Sequence, residues 1–286
     1  MLYCFSERRC IQLKLEEFAY DIGIEKSKTA LAQDMPEEHI HSQYELYFLL
    51  SGERRYFIDG EIYNVSPGNL VIVPRDTIHR TMALNRRGYD RYVLYFTEES
   101  LGGLREELGE ENFLRLISLG CVQLPAEQIP TVRERLERIY AEQQLGDPFS
   151  PAMMRSVLRE ILLTALRHGV KKSCALSEGA DKIQHVARYI SENFTEPLTL
   201  DDAARMACME KTYFSKRFKA LTGFNFSSYI TQLRLSAARQ LLLNSEMNIS
   251  EIAAQAGFSG SNYFGDVFLR VYGMSPTEYR KQRKER

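Results

Sequence analysis

The C-terminal third of the chain has apolar residues at helical spacing, and the same pattern occurs twice. Residues 212–229 and 262–279 align position for position at a separation of fifty residues. A repeated packing unit needs aromatic residues, a helix-ending glycine and a later tyrosine at the same places in both copies. The matched pairs are Tyr213 and Tyr263, Phe214 and Phe264, Phe218 and Phe268, Gly223 and Gly273, and Tyr229 and Tyr279.

A short helix with its own start signal precedes each copy. Thr199 with Asp202, and Asn248 with Glu251, have the spacing of a capping box. A short helix, a tight turn and a second helix are the order of a helix-turn-helix unit. The sequence predicts two such units, at residues 199–222 and 248–272.

The second helix of the first unit has one apolar face and one polar face. Phe214, Phe218 and Leu221 recur at i, i+4 and i+7, so they face inward and Tyr213 is expected in the core beside them. The outer face can enter a major groove of DNA. Between the copies, about Phe226–Leu243 is predicted as one helix of about 27 Å, close to the ~34 Å that separates successive major-groove faces.

One set of residues in the second unit identifies a family. The set is Ile252-Ala253 with Gly257-Phe258, Asn262-Tyr263-Phe264 with Phe268, and Gly273-Met274-Ser275-Pro276 with Tyr279-Arg280. Residues 183–281 thereby resemble the DNA-binding domain of the AraC/XylS family. The resemblance implies a transcription regulator whose two units read adjacent major grooves of double-stranded promoter DNA, with RNA polymerase as a further partner.

The resemblance also implies which residues contact DNA. Asp266 departs from the family, which often has a basic residue there; it either accepts a hydrogen bond from a cytosine amino group or holds the helix away from the phosphates. Solvation is the alternative for all these polar side chains, and Lys219 is the one for which phosphate or water is the simplest partner. The implied DNA-binding residues are Lys211, Thr212, Ser215, Lys216 and Lys219 in the first unit, and Ser261, Asn262 and Asp266 in the second.

The first hundred residues have short runs of β-forming residues separated by turn signals, which predict a sandwich or barrel. Asp59-Gly60 and Ser66-Pro67-Gly68 are the clearest turns. The predicted strands are Glu45–Leu50, Arg54–Ile58, Glu61–Val65, Leu70–Val73 and Arg91–Phe96.

Histidines and a carboxylate lie among these strands. The spacings His39-x-His41-x(3)-Glu45-x(6)-Gly52 and Gly68-x(5)-Pro74-x-Asp76-x(2)-His79 resemble the two cupin motifs. Alternate residues of an extended segment face the same side, so His39, His41, Glu45 and Tyr47 are expected to point into the barrel, with His79 approaching from a facing strand. The second motif departs from the pattern, because Asp76 replaces the usual glycine and Ala83 stands where asparagine is frequent.

Three interpretations of this cluster stay open. His39, His41, Glu45 and His79 can hold a divalent transition metal as cofactor. The same residues with Tyr47 can instead form a polar pocket for a small-molecule effector without metal. The third interpretation is a structural cluster of hydrogen bonds.

Helices are predicted between the two regions, at Leu101–Leu119, Glu127–Gln144 and Pro151–His168. Val132, Leu136, Ile139 and Tyr140 form an apolar stripe that either the barrel or a second subunit can cover. Members of the family dimerise in this region, so a homodimer is expected.

Charge separates along the chain. Residues 181–286 carry 15 Lys and Arg against 11 Asp and Glu, although the whole chain has a net charge of −1. This small surplus suggests that dimerisation contributes to DNA affinity. The five cysteines show no paired spacing, the N-terminus lacks a signal segment, and no apolar run reaches the ~20 residues of a membrane helix. A cytoplasmic protein without a membrane partner is expected.

The sequence therefore predicts a two-domain α+β protein that is a transcription regulator responding to a small-molecule effector, not an enzyme. The alternative is a metal-dependent cupin enzyme, such as an oxygenase or isomerase, fused to a DNA-binding module. The predicted parts are a cupin-like sensing barrel at 1–100, central helices that dimerise at 101–170, a linker at 171–180, and an all-α domain with two helix-turn-helix units at 181–286.

Overall fold

The computed structural model describes residues 21–31, 41–172 and 179–284. The strands in these ranges are β1 (Ile22–Lys28), β2 (Tyr44–Ser51), β3 (Arg54–Ile58), β4 (Glu61–Val65), β5 (Asn69–Val73), β6 (His79–Ala83), β7 (Asp90–Phe96), β8 (Gly120–Gln123) and β9 (Val170–Lys171). The helices are α1 (Leu104–Leu108), α2 (Glu110–Ile117), α3 (Ile129–Leu145), α4 (Ser150–His168), α5 (Ala180–Asn193), α6 (Leu200–Met206), α7 (Lys211–Thr222), α8 (Phe226–Asn244), α9 (Ile249–Gln255), α10 (Ser261–Tyr272) and α11 (Pro276–Lys284).

Two sheets face each other in the N-terminal domain. One has the strand order β1-β7-β2-β5-β8-β9, and the other has the order β4-β3-β6. Inward-facing residues of both sheets form a core rich in tyrosine, including Tyr47, Tyr56, Tyr63 and Tyr95. In the described residues no ladder joins the two sheets into a closed ring, so the domain is an open, cupin-like barrel.

The five strands predicted from alternation are confirmed to within about one residue. The sequence reading missed β1, β6, β8 and β9, of which β6 is polar and β8 and β9 are very short. The helix predicted at 101–119 is wrong as a single element. Gly102, Gly103 and Gly109 have φ of 51°, 79° and 74°, and these left-handed residues divide it into a 3-10 turn, α1 and α2.

The predicted stripe on α3 packs against the barrel. Val132, Leu136 and Ile139 are buried in one core with the outer face of the larger sheet and with α4. Strand β8 lies within the segment predicted as central helices and pairs with β5, while β9 pairs with β8. The helices of this segment therefore share the core of the barrel domain.

The outer face of the smaller sheet is covered by the DNA-binding domain. Phe57, Ile62 and Met82 lie in one apolar cluster with residues of α5, α7 and α8. The Phe57 ring centroid is 5.6 Å from that of Phe224 and 5.2 Å from that of Tyr229. The smaller sheet is thus buried on both faces.

Both capping boxes form as predicted. The Asp202 amide donates to Thr199 Oγ1 at 3.2 Å, and the Glu251 amide donates to Asn248 Oδ1 at 2.9 Å. Helix α8 is continuous, as the spacing indicated, and links the first helix-turn-helix unit (α6, α7) to the second (α9, α10). The second unit has its own core, built around Phe264, Phe268 and Tyr279.

Because the second unit has its own core, a substitution in that core should destabilise the second unit and leave the barrel unchanged. Phe268→Ala should lower the free energy of unfolding by about 3–5 kcal/mol, because the side chain is fully buried among aromatic rings. Hydrogen exchange should show the loss of protection in α9–α11 while the barrel strands stay protected. Tyr263→Ala, at an exposed position of the same helix, is the matched control. Equal loss of protection in the barrel would contradict the separation of the two cores.

Candidate sensing site and nucleic-acid interface

A buried polar cluster lies between the two sheets. Glu45 is the second residue of β2, in the larger sheet, and His79 is the first residue of β6, in the smaller one. His41 comes just before β2. All three side chains are buried, so the carboxylate from one wall meets an imidazole from the other in an interior with little water.

The three side chains point their ligand atoms at one another. His41 Nε2 lies 3.3 Å from Glu45 Oε2, and His79 Nε2 lies 3.5 Å from the same oxygen. One ligand atom from each residue lies within 4.8 Å of the others. The second carboxylate oxygen of Glu45 accepts a hydrogen bond from the Tyr56 hydroxyl.

Backbone carbonyls fix the tautomers of both histidines. His41 Nδ1 is 2.9 Å from the Gln43 carbonyl, and His79 Nδ1 is 2.9 Å from the Thr77 carbonyl. A carbonyl oxygen only accepts, so each Nδ1 donates, and in the neutral imidazole each Nε2 is an acceptor. With both rings neutral, three acceptors face one another, and either a metal ion between them or a proton on an Nε2 that hydrogen-bonds to Glu45 would satisfy them. The same outer hydrogen bond to Nδ1 orients histidine ligands in metal sites.

The surroundings of Glu45 and His41 favour an ionised carboxylate and a neutral imidazole, which are the forms that bind a cation. Burial alone would raise the pKa of Glu45, but the neighbouring His79 and the hydrogen bonds from His41 and His79 outweigh it and hold that pKa well below its usual range. Burial lowers the pKa of His41, which favours the neutral ring. Burial, together with the nearby Glu45 carboxylate, raises the pKa of Tyr56. The phenol therefore stays protonated and donates a hydrogen bond to Glu45.

The structure brings together most of the residues that the cupin-like spacing indicated. His41, Glu45 and His79 form the cluster, and Tyr47 lies on the same inner face with its ring 5.1 Å from the Tyr56 ring. His39 lies outside the described residues. The cupin-like spacing does not include Tyr56. Its position on the inward side of β3 is the sequence signal that points to it.

Cationic side chains line the barrel interior next to this cluster. The Arg91 guanidinium lies 5.4 Å from the centre of the Tyr47 ring and 5.0 Å from that of Tyr89. The Arg54 guanidinium lies 4.6 Å from the centre of the same Tyr89 ring. Burial raises the pKa of Tyr47 to about 12, so this ring stays neutral between the cluster and the guanidinium groups.

The first reading helix presents its predicted face to solvent. Thr212, Lys216 and Lys219 are exposed on α7, Ser215 is half-buried, and Phe214 and Phe218 are buried behind them. Lys211, the first residue of α7, forms an ion pair with Asp201 at 2.7 Å. The face therefore carries two lysines, Lys216 and Lys219, close to the small polar residues.

The second reading helix presents a less basic face. On α10, Asn262 and Asp266 are exposed and Ser261 is half-buried. Leu269 is also exposed, and Arg270 is the basic residue of the last turn. The charges of the two helices thus differ as the sequence indicated.

One sequence expectation about these helices is wrong. Tyr213 was expected in the core, but 57% of it is exposed, and its repeat partner Tyr263 is 53% exposed. Each tyrosine lies one residue, or about 100° around the helix, before the buried Phe214 or Phe264. That rotation takes both rings out of the core and to the flank of the reading face.

Comparison with known proteins agrees with this architecture. Residues 27–162 match the AraC-like ligand binding domain, and residues 203–282 match a helix-turn-helix domain. The chain is 24% identical over 278 residues to the HTH-type transcriptional activator RhaR of Escherichia coli K12, covering 94% of this chain and 95% of RhaR.

Solved structures with similar folds were also found. A structure of ToxT from Vibrio cholerae is 13% identical, covers 91% of this chain and 98% of its own, and has a TM-score of 0.36. The DNA-binding domain of AdpA in complex with a target DNA is 27% identical, covers 36% of this chain and 94% of its own, and also has a TM-score of 0.36.

The two domain matches and the match to RhaR decide between the two functions that the sequence left open. Both matched domains belong to regulators, so the chain is not an enzyme fused to a DNA-binding module. Among the described helices, none combines the length and the apolar character needed to cross a membrane. The chain belongs to the AraC family of transcriptional regulators, with an N-terminal ligand-binding domain and a C-terminal double helix-turn-helix that binds DNA.

Proposed function

We propose that this regulator senses its effector at the cluster of His41, Glu45 and His79, and that the cluster holds a divalent transition metal ion. The observation that carries the proposal is the convergence of three acceptor atoms in a buried space. Two imidazoles and one carboxylate suit zinc and other first-row metals. Three protein ligands leave further coordination positions for water or for an oxygen atom of a small-molecule effector.

The rest of the barrel interior suits a polar effector beside the ion. Tyr47, Tyr89 and Arg91 supply ring faces, hydroxyl groups and positive charge in the same space. Such groups recognise hydroxyl or carboxylate oxygens. An effector that bridges the ion and these side chains would contact both sheets of the barrel. Its binding could then change the position of one sheet relative to the other.

A metal titration tests the site. Full-length protein should bind one Zn²⁺, and Glu45→Gln should weaken binding by at least about tenfold, because it removes the anionic ligand while keeping the shape of the side chain. Isothermal titration calorimetry gives the affinity, and thermal melting shows that the variant is folded. His168→Ala, an exposed histidine far from the cluster, is the control. Equal affinity for the wild type and for Glu45→Gln would place the metal elsewhere.

On the DNA side, we propose that α7 supplies most of the affinity. Lys216 is the proposed base-reading residue, with Thr212 and Ser215 as further proposed contacts and Lys211 and Lys219 as proposed phosphate contacts. On α10, Ser261 and Asn262 are the proposed contacts, and Asp266 is proposed to keep the helix away from the backbone phosphates. Cys208 is an exposed free thiol, which suits a reducing cytoplasm, where we propose that the regulator meets RNA polymerase at promoters.

Two alanine variants separate the reading helices. Lys216→Ala should cost roughly 1–3 kcal/mol of binding free energy and relax the preference at one base position. Asp266→Ala should cost less, or should tighten binding by removing a repulsion with phosphate. Fluorescence anisotropy on a duplex selected in vitro by the full-length protein gives both values at one salt concentration. A larger loss for Asp266→Ala than for Lys216→Ala, in folded proteins, would make Asp266 the base-reading residue.

We also propose that the regulator is a homodimer. The stripe on α3 is covered by the barrel, but the turn between α3 and α4 exposes large apolar side chains. Leu145 is 65% exposed and Phe149 is 74% exposed, with Met153 one turn further on. A second copy of the chain that covers this patch would place two DNA-binding domains on one promoter and add avidity.

Disruption of the patch should produce monomers. Phe149→Glu removes an exposed ring and adds a charge that a buried interface excludes, so sedimentation should show roughly half the wild-type mass at micromolar concentration. Affinity for a two-site duplex should fall, while affinity for a single half-site stays the same. Glu134→Gln on the exposed face of α3 serves as the control. A variant that remains dimeric would place the interface on another surface.

A further inference from the structure

We propose that Asp76 is a clamp through which the barrel cluster controls the position of the DNA-binding domain. This inference rests on the sensing site proposed above. Asp76 is the residue that replaces the usual glycine of the second cupin-like motif. Its φ is 62°, in the left-handed region that glycine adopts most readily. The contacts of the Asp76 side chain account for an aspartate at this position.

The Asp76 side chain reaches out of the barrel to α8. Its carboxylate accepts from Arg239 and from Gln240, and the Ser236 hydroxyl donates to the Asp76 carbonyl at 2.9 Å. Arg239 is buried at this contact. One acidic residue of the barrel thus holds two consecutive side chains and a hydroxyl of a single helix.

The contact lies where α8 passes from one reading unit to the other. Tyr229, Ile230 and Leu233 pack in the cluster that contains the first unit, whereas Leu235, Ala238 and Leu242 pack in the core of the second. Ser236, Arg239 and Gln240 lie at this changeover. A clamp here restrains the orientation of one unit relative to the other.

The backbone around Asp76 is tied to both histidines of the cluster. The Asp76 amide donates to the His41 carbonyl at 2.8 Å, and His79 Nδ1 donates to the carbonyl of Thr77, the next residue, at 2.9 Å. A shift of either imidazole is therefore passed to the turn that carries the clamp. The two hydrogen bonds are the physical link between the cluster and α8.

A second contact from β6 reaches the first reading unit. Arg80 follows His79 and donates to the Gly223 carbonyl at 2.7 Å, at the C-terminal end of α7. His79 faces the cluster and Arg80 faces the DNA-binding domain, because alternate residues of a strand face opposite sides. The strand that supplies one proposed metal ligand thus also contacts the end of a reading helix.

Space beside the clamp allows the turn to move. A cleft of about 490 Å³ lies between the domains, lined by Asp76, Thr77, Ser236 and Gln240 together with Ser191 of α5. The turn therefore borders open space on one side.

Ion binding should draw the cluster together. His41 Nε2 and His79 Nε2 already lie 3.3 and 3.5 Å from Glu45 Oε2, near the about 3.4 Å that separates ligand atoms in a tetrahedral shell with bonds of ~2.1 Å. The contraction is therefore mainly an approach of the two imidazoles to each other. That contraction moves His41 and His79, and with them the turn that holds Asp76. Contraction of the cluster on ion binding should therefore weaken the clamp. Once α8 is released, the two units can adjust to adjacent major grooves.

Two substitutions break the clamp from opposite sides. Asp76→Gly removes the carboxylate and suits the positive φ, so the barrel should fold. Gln240→Glu leaves the barrel untouched and sets a second carboxylate against Asp76. Glu61→Gln is the matched control, because Glu61 forms an ion pair with Arg188 across the same interface but has no hydrogen bond to the cluster. Energy transfer between dyes attached through non-natural residues at positions 111 and 255 of the full-length protein reports docking.

Without added metal, the wild type and Glu61→Gln should give high transfer, and both clamp variants should give low transfer. Adding Zn²⁺ should lower energy transfer in the wild type. The same addition to Glu45→Gln measures any effect of Zn²⁺ bound outside the cluster. Zn²⁺ should also change DNA affinity at least about fivefold in the wild type but less than twofold in Asp76→Gly.

High transfer in both clamp variants would show that Asp76 does not hold the domains together. A Zn²⁺ response in Asp76→Gly as large as in the wild type would show that coupling bypasses it. If calorimetry shows no Zn²⁺ binding to the wild type, the proposed sensing site fails. The transfer of Asp76→Gly in metal-free protein still decides the clamp.

Discussion

A sheet of three short strands is buried on both faces and joins the barrel interior to the DNA-binding domain. Strands β4, β3 and β6 turn one face to the barrel interior and the other to the DNA-binding domain. Because side chains alternate, neighbouring residues of one strand serve the two regions, as His79 and Arg80 do on β6. A core of this kind is densely packed and transmits small displacements. The ligand-binding and DNA-binding regions share a wall, so the domains meet through packed side chains as well as through a linker.

We propose that polar groups inside this wall give the barrel its sensing function. Burying a carboxylate between two imidazoles is unfavourable unless every lone pair finds a partner. Tyr56 satisfies one oxygen of Glu45 and the backbone satisfies both Nδ1 atoms, while both Nε2 atoms lie near the other carboxylate oxygen, where we propose that a cation binds. An apolar cluster of the same size would stabilise the fold more simply, so these residues are better explained by binding than by stability.

Much of this organisation could be predicted from the sequence, and the misses have physical causes. The repeat fixed both helix-turn-helix units because Phe214, Phe218 and their partners Phe264 and Phe268 repeat a complete packing pattern. Alternation fixed β2, where Glu45 and Tyr47 face inward as expected. Tyr213 was misplaced because one helical step separates a buried aromatic from an exposed one. The partners of Asp76 could not be read at all, because Arg239 and Gln240 lie more than 160 residues away in the chain. Such long-range contacts are set by the docking of domains, and a single sequence carries no local signal for them.

The most direct measurement is anomalous diffraction from crystals of the full-length protein grown with Zn²⁺ and recorded above the zinc absorption edge. One strong peak should lie inside the barrel, within about 2.0–2.2 Å of His41 Nε2, His79 Nε2 and a carboxylate oxygen of Glu45. The Asp76 carboxylate should have moved away from Arg239 in the same crystal. A barrel without a peak, or a peak with the contact between Asp76 and Arg239 intact, would show that a metal ion in the cluster does not control the clamp.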